Sequence, residues 1–141
     1  MPTRDVLVTE RAGMTRSVAV GSHRLVADEP APYGGDAGPN PFEFVLAGLG
    51  TCTSMTLRMY ADRHAWPLRD VRVRLRFDGP AVVREISLEG DLDDDQWHRL
   101  MSVAERCPVN RLLSSPVPIT TVPVENSGHT AESADTVQKQ K

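Results

Sequence analysis

The chain has 141 residues, of which 40% are hydrophobic and 25% charged, and its formal net charge is −3. These values are typical of one soluble globular domain. No block of lysine and arginine marks a nucleic-acid surface, and no apolar run approaches the ~20 residues that span a bilayer. The N-terminus lacks the apolar stretch of a secretory signal. We therefore expect a cytoplasmic protein that binds neither nucleic acid nor membranes.

The first forty residues predict three strands and a loop. Polar and apolar residues alternate over residues 5–10, which is the period of a half-buried strand. Residues 17–20 and 23–27 predict a hairpin joined by a Gly-Ser turn. Residues 29–41 are so rich in proline and glycine that no regular element is expected there.

A long apolar helix is predicted to follow the loop. Asn40 and Pro41 suit the N-cap and first position of a helix, which we expect to run to Trp66. No charged residue lies between Glu43 and Arg58, so nearly every face of the helix is apolar and needs cover from the domain or from a second subunit. Glycines at 48 and 50 predict either a very close packing partner or a bend.

The second half predicts a hairpin, two helices and an edge strand. Residues 68–78 place three arginines (72, 74 and 76) on one face, where Glu85 and Glu89 of the partner strand, 82–92, can oppose them. A helix over 91–108 begins with aspartates at 93–95, which stabilise its N-terminus, and Pro108 starts a further helix. Residues 118–125 predict a last strand at a sheet edge. The fold class is thus α+β, with one domain over 1–126 and a polar, flexible tail over 127–141.

The two cysteines are the candidate chemical groups. A reducing cytosol disfavours permanent disulfides, so Cys52 and Cys107 are either inert core thiols or a reversible redox pair. Cys52 lies too deep in its helix for the helix dipole to ionise it. Cys107 directly precedes Pro108, where unpaired backbone N–H groups at a helix start would favour the thiolate.

Other chemistries find little support. The sequence has no CxxC or HxxxH spacing, and its four histidines are scattered, so we predict neither a metal site nor a cofactor. It also lacks the GxSxG turn of serine hydrolases, and His64 does not share a helix face with Cys52.

The motifs around the cysteines, taken together, resemble the OsmC/Ohr family. They are the Pro-x-Glu at 41–43, LGTCTSMT at 49–56 and CPVNRLL at 107–113, and the resemblance extends from residue 6 to about residue 124. It implies an OsmC-like fold in which antiparallel sheets surround a long buried central helix. It also implies an intertwined homodimer with active sites at the subunit interface.

The resemblance further implies a thiol-dependent peroxidase for organic hydroperoxides. Cys52 would attack the peroxide and become a sulfenic acid, and Cys107 would close a disulfide with it. A dithiol, lipoyl-type in related members, would reduce the pair again. This scheme requires a lowered pKa at Cys52 and an apolar pocket, whose natural walls are Leu46, Leu49, Met55 and Leu112, although these residues equally suit a core.

Glu43 is the third candidate catalytic residue, and its position departs from the family pattern. Organic hydroperoxide resistance proteins have a glutamate ten residues before the reactive cysteine, where it orients an arginine, but here that position is Phe42. Glu43 precedes Cys52 by nine residues, about two and a half turns, so a continuous helix places the two on opposite faces. Glu43 is equally explained as a first-turn residue. Candidates for the arginine are Arg11, Arg16 and Arg111.

A second function stays open at this point. The same fold could form a non-catalytic dimer that binds a small apolar ligand at the subunit interface. The unmatched glutamate and arginine favour this alternative.

Overall fold

The computed structural model describes residues 3–124. In chain order the elements are β1 (Val6–Glu10), β2 (Arg16–Val20), β3 (His23–Ala27), α1 (Pro41–Arg63), β4 (Leu68–Asp78), β5 (Ala81–Gly90), α2 (Asp94–Ala104) and α3 (Pro108–Leu113). Strands β1, β2 and β3 form one antiparallel sheet, and β4 and β5 form a second. The predicted α+β class is therefore confirmed. None of the helices within residues 3–124 is long and apolar enough to cross a membrane.

Helix α1 begins where the Asn-Pro pair predicts. The Glu43 backbone N–H donates to the Asn40 side chain at 2.9 Å, and the Asn40 N–H donates to the Glu43 carboxylate at 2.8 Å. This reciprocal capping box, with Pro41 in the first turn, fixes the start of the helix. The helix runs without interruption past both glycines and ends at Arg63, three residues before the predicted end.

The two glycines of α1 have different surroundings. A Cβ built at Gly50 would lie 2.6 Å from Cδ1 of Leu75, because β4 packs directly on this side of the helix. A Cβ at Gly48 would meet nothing within 4 Å. Close packing therefore explains Gly50, whereas Gly48 faces open space.

The long hairpin of β4 and β5 carries the predicted arginine row on its outer face. Arg76 pairs with Glu85 at 2.9 Å, and Arg72 approaches Glu89 at 3.9 Å as well as Asp70 at 2.8 Å. Arg72 and Arg76 are thus balanced by carboxylates of the same hairpin. Its other face packs on α1.

Two helices complete the described fold. Asp93 caps α2 by accepting the Gln96 N–H at 2.8 Å, as the acidic cluster predicts. Helix α3 has Pro108 at its first position and Cys107 at its N-cap. The core lies between α1, β4 and α2 and consists of Leu57, Ala61, Leu68, Leu100, Val103 and Ala104.

The last predicted strand is wrong over residues 118–124, which adopt no regular secondary structure. Prolines at 118 and 123 remove backbone donors, and no strand of residues 3–117 pairs with this segment. Ile119 and Val122 are consequently exposed. Residue 125 and the predicted tail lie outside the described residues.

The apolar composition of α1 predicts that nearly all of its faces are covered, but a single chain covers only one of them. Leu49, Gly50, Thr53, Leu57 and Ala61 form its buried face. On other faces the apolar side chains are open, with Phe42 67%, Val45 43%, Met55 61% and Met59 54% exposed.

Candidate active site

An apolar cleft of about 780 Å³ runs along α1. Gly48, Cys52, Met55, Thr56 and Met59 form one wall, because residues three and four apart share a helix face. The other walls come from β3, α2 and α3, through Leu25, Val103, Pro108 and Val109. A cleft of this size and composition suits a small apolar molecule.

The predicted pocket walls are only partly correct. Met55 lines the cleft, but Leu46, Leu49 and Leu112 do not. Leu49 is buried on the face of α1 that packs into the molecule. Part of the wall is formed instead by Gly48, since its missing side chain leaves room beside Cys52.

The fold brings the two cysteines together. Cys52 is half-buried and lines the cleft, whereas Cys107 is fully buried behind it. Both are free thiols, and they are near enough for each to shift the pKa of the other. The junction before α3 creates this pair, because Pro108 starts a helix whose first turn packs against α1.

The thiol of Cys52 is harder to ionise than an ordinary cysteine. Burial raises its pKa, and the neighbouring Cys107 raises it further, because the Cys52 thiol donates a hydrogen bond to that sulfur. The Val109 N–H and the Thr56 hydroxyl oppose this shift without reversing it. Within residues 3–124 of one chain, the pKa of Cys52 is therefore raised, whereas the resemblance implies a lowered one.

Cys107 is the better-stabilised thiolate. Burial opposes its ionisation, but hydrogen bonds from the Cys52 thiol, the Asn110 N–H, the Thr53 hydroxyl and the Val109 N–H outweigh burial and lower its pKa. This agrees with the expectation that backbone N–H groups at the start of α3 favour the ionised form. Of the two thiols, Cys107 is therefore the easier to ionise.

Sequence reasoning missed an arginine that lies close to this site. Arg84 of β5 donates to the Thr53 hydroxyl at 3.0 Å and pairs with Glu105 at 3.2 Å, and Thr53 lies 3.9 Å from the Cys107 sulfur. A signal was present, because the strand period places Arg84 on the same face as the inward-facing Ile86 and Leu88.

The other predicted groups lie elsewhere. Glu43 caps α1, as its alternative explanation predicts, and the uninterrupted helix keeps it on the face opposite Cys52. Arg16 pairs with Glu10, and Arg111 is exposed. Within residues 3–124, no arginine hydrogen-bonds to the Cys52 sulfur.

No group of three or more His, Cys, Asp or Glu side chains in the described part of the chain could hold a metal ion. The nucleophilic groups at this place are the thiol of Cys52 in the cleft wall and the buried thiol of Cys107 near it. An apolar cleft with adjacent thiols can in principle reduce an apolar oxidant or bind an apolar ligand.

The arrangement of two antiparallel sheets and a central helix that carries one of two neighbouring thiols defines an OsmC-type fold. The family model for OsmC-like proteins matches residues 34–122 of this chain. The chain belongs to the OsmC-like protein family. No curated protein sequence matches it.

Solved structures show the same fold at low sequence identity. An OsmC-like protein from Mycoplasma pneumoniae is 14% identical, with a TM-score of 0.69 over 80% of this chain and 88% of that one. An organic hydroperoxide resistance protein OsmC from Legionella pneumophila is 21% identical, with a TM-score of 0.55 over 80% and 91%. An OsmC-like hydroperoxide resistance protein from Jannaschia sp. CCS1 is 20% identical, with a TM-score of 0.52 over 86% and 93%.

Proposed function

We propose that this protein is a thiol peroxidase that reduces organic hydroperoxides in the cytoplasm. The observation that carries the proposal is that Cys52 lines an apolar cleft and that the buried Cys107 lies near enough for each thiol to shift the pKa of the other. The cleft admits a hydrophobic peroxide to one thiol, and the second thiol is already in place to react with the product. Two of the structural relatives are described as hydroperoxide resistance proteins.

In the first step the Cys52 sulfur attacks the peroxide oxygen and breaks the O–O bond. The Cys52 proton passes to the Cys107 thiolate during attack and from there to the leaving alkoxide. The products are an alcohol and a sulfenic acid at Cys52, and Cys107 is again a thiolate. Cys52 takes this role because it reaches the cleft, whereas Cys107 is fully buried.

In the second step the Cys107 thiolate attacks the sulfenic sulfur of Cys52. A disulfide forms, and the hydroxide that leaves takes up a proton and departs as water. An external dithiol then reduces the disulfide and becomes oxidised itself. We propose a dithiol of the lipoyl type, because an apolar cleft admits such a molecule more readily than a charged thiol such as glutathione.

The proposal includes a homodimer. Helix α1 exposes Phe42, Val45, Met55 and Met59, and β1 exposes three further apolar residues, so a second copy would remove a large apolar area from water. Sedimentation should give the mass of two chains, and Val45→Glu should shift it toward one. A wild-type protein that sediments as one chain at micromolar concentration would contradict the dimer.

Turnover tests the activity directly. Purified protein with dihydrolipoamide should consume cumene hydroperoxide, and Cys52→Ser should abolish this consumption. Cys107→Ser should allow one fast reaction that leaves a sulfenic acid trappable by dimedone at Cys52. Retained activity in Cys52→Ser, or wild-type thiols that react no faster than free cysteine, would refute the peroxidase activity.

One observation favours a second candidate, a non-catalytic binder of apolar ligands. The pKa of Cys52 is raised, and among residues 3–124 no arginine contacts its sulfur. A binder would leave both thiols intact after exposure to hydroperoxide, yet would still enhance the fluorescence of an apolar dye held in the cleft.

A further inference from the structure

The inner face of β5 carries an arginine where apolar residues dominate. The side chain of Arg84 is only 10% exposed and lies on the face that packs toward α1. Its Nη1 donates to the Thr53 hydroxyl at 3.0 Å, and its Nη2 contacts the Glu105 carboxylate at 3.2 Å. A guanidinium held in this way has a fixed direction, because two partners on different helices hold its planar fork.

The Thr53 hydroxyl, which Arg84 contacts, lies within reach of two hydrogen-bond acceptors. Thr53 is fully buried, and its Oγ1 lies 2.8 Å from the Leu49 carbonyl oxygen and 3.9 Å from the Cys107 sulfur. A hydroxyl has one proton, so it can donate to only one of these at a time. A negatively charged sulfur is the stronger acceptor, and ionisation of Cys107 should therefore turn the hydroxyl from the carbonyl to the sulfur.

We propose that Arg84, anchored by Glu105, is a positioning residue that acts through the Thr53 hydroxyl to hold Cys107 as the thiolate that closes the disulfide. The guanidinium fixes and polarises the hydroxyl oxygen, which makes its proton a better donor. Arg84 hydrogen-bonds to Thr53 and Glu105 rather than to either sulfur, and it does not line the cleft. Its part in disulfide closure rests on the proposed peroxidase function.

The groups around the Cys107 sulfur account for its charge. The side chains of Cys52 and Thr53 approach the Cys107 sulfur from α1. The N–H groups of Val109 and Asn110 approach it from the first turn of α3. Behind Thr53 lie one cation, Arg84 from β5, and one anion, Glu105 at the end of α2, whose side chain is 72% exposed. Water screens this carboxylate more than the buried guanidinium, so the net influence on Cys107 favours the thiolate.

We call the chain of contacts from Arg84 through the Thr53 hydroxyl to the Cys107 sulfur the relay. It matters most after the peroxide has reacted. While Cys52 is a thiol, it also donates to Cys107 and helps to hold the negative charge. Once Cys52 is a sulfenic acid, that thiol donor is gone, and Cys107 depends more on Thr53 and the backbone. Formation of the disulfide should therefore depend on Arg84. The attack by Cys52 should not, although Cys107 takes the Cys52 proton, because a less stabilised Cys107 thiolate is rarer but a correspondingly stronger base.

A purely structural role for Arg84 makes a different prediction. The same contacts could serve only to satisfy a buried arginine, and its loss would then lower stability without changing the ionisation of Cys107. A titration of the thiolate separates the two roles and uses no peroxide. It therefore tests the relay even if the peroxidase proposal fails.

The first experiment follows thiolate absorbance at 240 nm against pH in the full-length protein with Cys52→Ser, so that Cys107 alone is observed. Adding Arg84→Met or Thr53→Val should raise the titration midpoint by about one pH unit. Thr53→Ser keeps the hydroxyl and should keep the midpoint. Arg76→Met, which removes an equally paired arginine from the exposed face of β4, is the matched control and should also keep it.

The second experiment uses the protein with both cysteines and resolves sulfenic acid formation from disulfide formation by rapid quenching. Arg84→Met should slow the disulfide step about tenfold at a pH below the wild-type midpoint, because there a midpoint raised by one pH unit lowers the thiolate fraction about tenfold. Sulfenic acid formation should not fall more than twofold. An unchanged midpoint for both Arg84→Met and Thr53→Val would overturn the relay, and so would equal slowing of the two steps.

Discussion

Gly48 offers a direct test of the cleft as the place where the peroxide's organic group binds. It lies one turn before Cys52 on the same helix face, and a Cβ there would meet nothing within 4 Å. In Gly48→Leu the new side chain would project into the cleft beside the thiol. The helix itself should not suffer, because leucine is better than glycine in a helix interior by roughly 0.7 kcal/mol.

The size of the effect follows from the apolar contact that the new side chain displaces. If a bulky hydroperoxide loses about 100 Å² of such contact, the cost is about 2.5 kcal/mol at roughly 25 cal/mol per Å². This corresponds to a loss of about 70-fold in kcat/KM for cumene hydroperoxide. Hydrogen peroxide has no organic group to displace, so its kcat/KM should change little.

The assay compares both peroxides at saturating dithiol in wild type, Gly48→Leu and Gly48→Ala. A single methyl fits the space, so Gly48→Ala should stabilise the helix by about 1 kcal/mol and leave the preference between peroxides nearly unchanged. If Gly48→Leu reduces both rates equally, or neither, the organic group does not bind along this wall. Thermal unfolding of each variant separates that result from a folding defect.

Three further predictions concern stability. Leu57 is fully buried in the core, so Leu57→Ala should lower the free energy of unfolding by about 3 kcal/mol, measured in denaturant by the fluorescence of the adjoining Trp66; a loss below about 1 kcal/mol would contradict this core. Gly90 has a φ of +154° and a Cβ there would clash with the Pro67 carbonyl, so Gly90→Ala should destabilise by about 2 kcal/mol or more, and an unchanged melting temperature would refute this. Burial opposes ionisation of Asp28, but hydrogen bonds from three backbone N–H groups and a threonine hydroxyl outweigh it and lower its pKa. Its contribution to stability should thus be complete above about pH 4 and be lost as the pH falls through the folded-state pKa; Asp28→Asn should remove this pH dependence, and identical acid unfolding of both proteins would contradict it.

Local patterns predicted the elements well. The side chains of Asn40 and Pro41 determine where α1 begins through local contacts, so the start of the helix can be predicted without knowledge of the tertiary structure. The arginine row of β4 and its glutamate partners follow from strand period and hairpin register alone. The strand prediction failed at residues 118–124 because it depends on tertiary structure. An edge strand forms only where another strand can pair with it through hydrogen bonds.

The candidate site was less predictable because it is assembled from distant elements. The start of α3 predicted backbone N–H groups that favour the Cys107 thiolate, but the proximity of Cys107 to Cys52 depends on how α3 packs on α1. The strand period alone could have predicted that Arg84 faces inward. An arginine on an apolar face needs a buried partner, so a polar contact could also have been predicted. That this partner is Thr53 could not be read from one sequence.

The central claim is that Cys52 and Cys107 react as a pair. Its most direct measurement is the mass of the fully reduced protein after one equivalent of cumene hydroperoxide, followed by peptide mapping without reductant. The account predicts the loss of two hydrogens per chain and a peptide in which Cys52 is joined to Cys107. Intact thiols, or a Cys52 that gains oxygen and never bonds to Cys107, would contradict it.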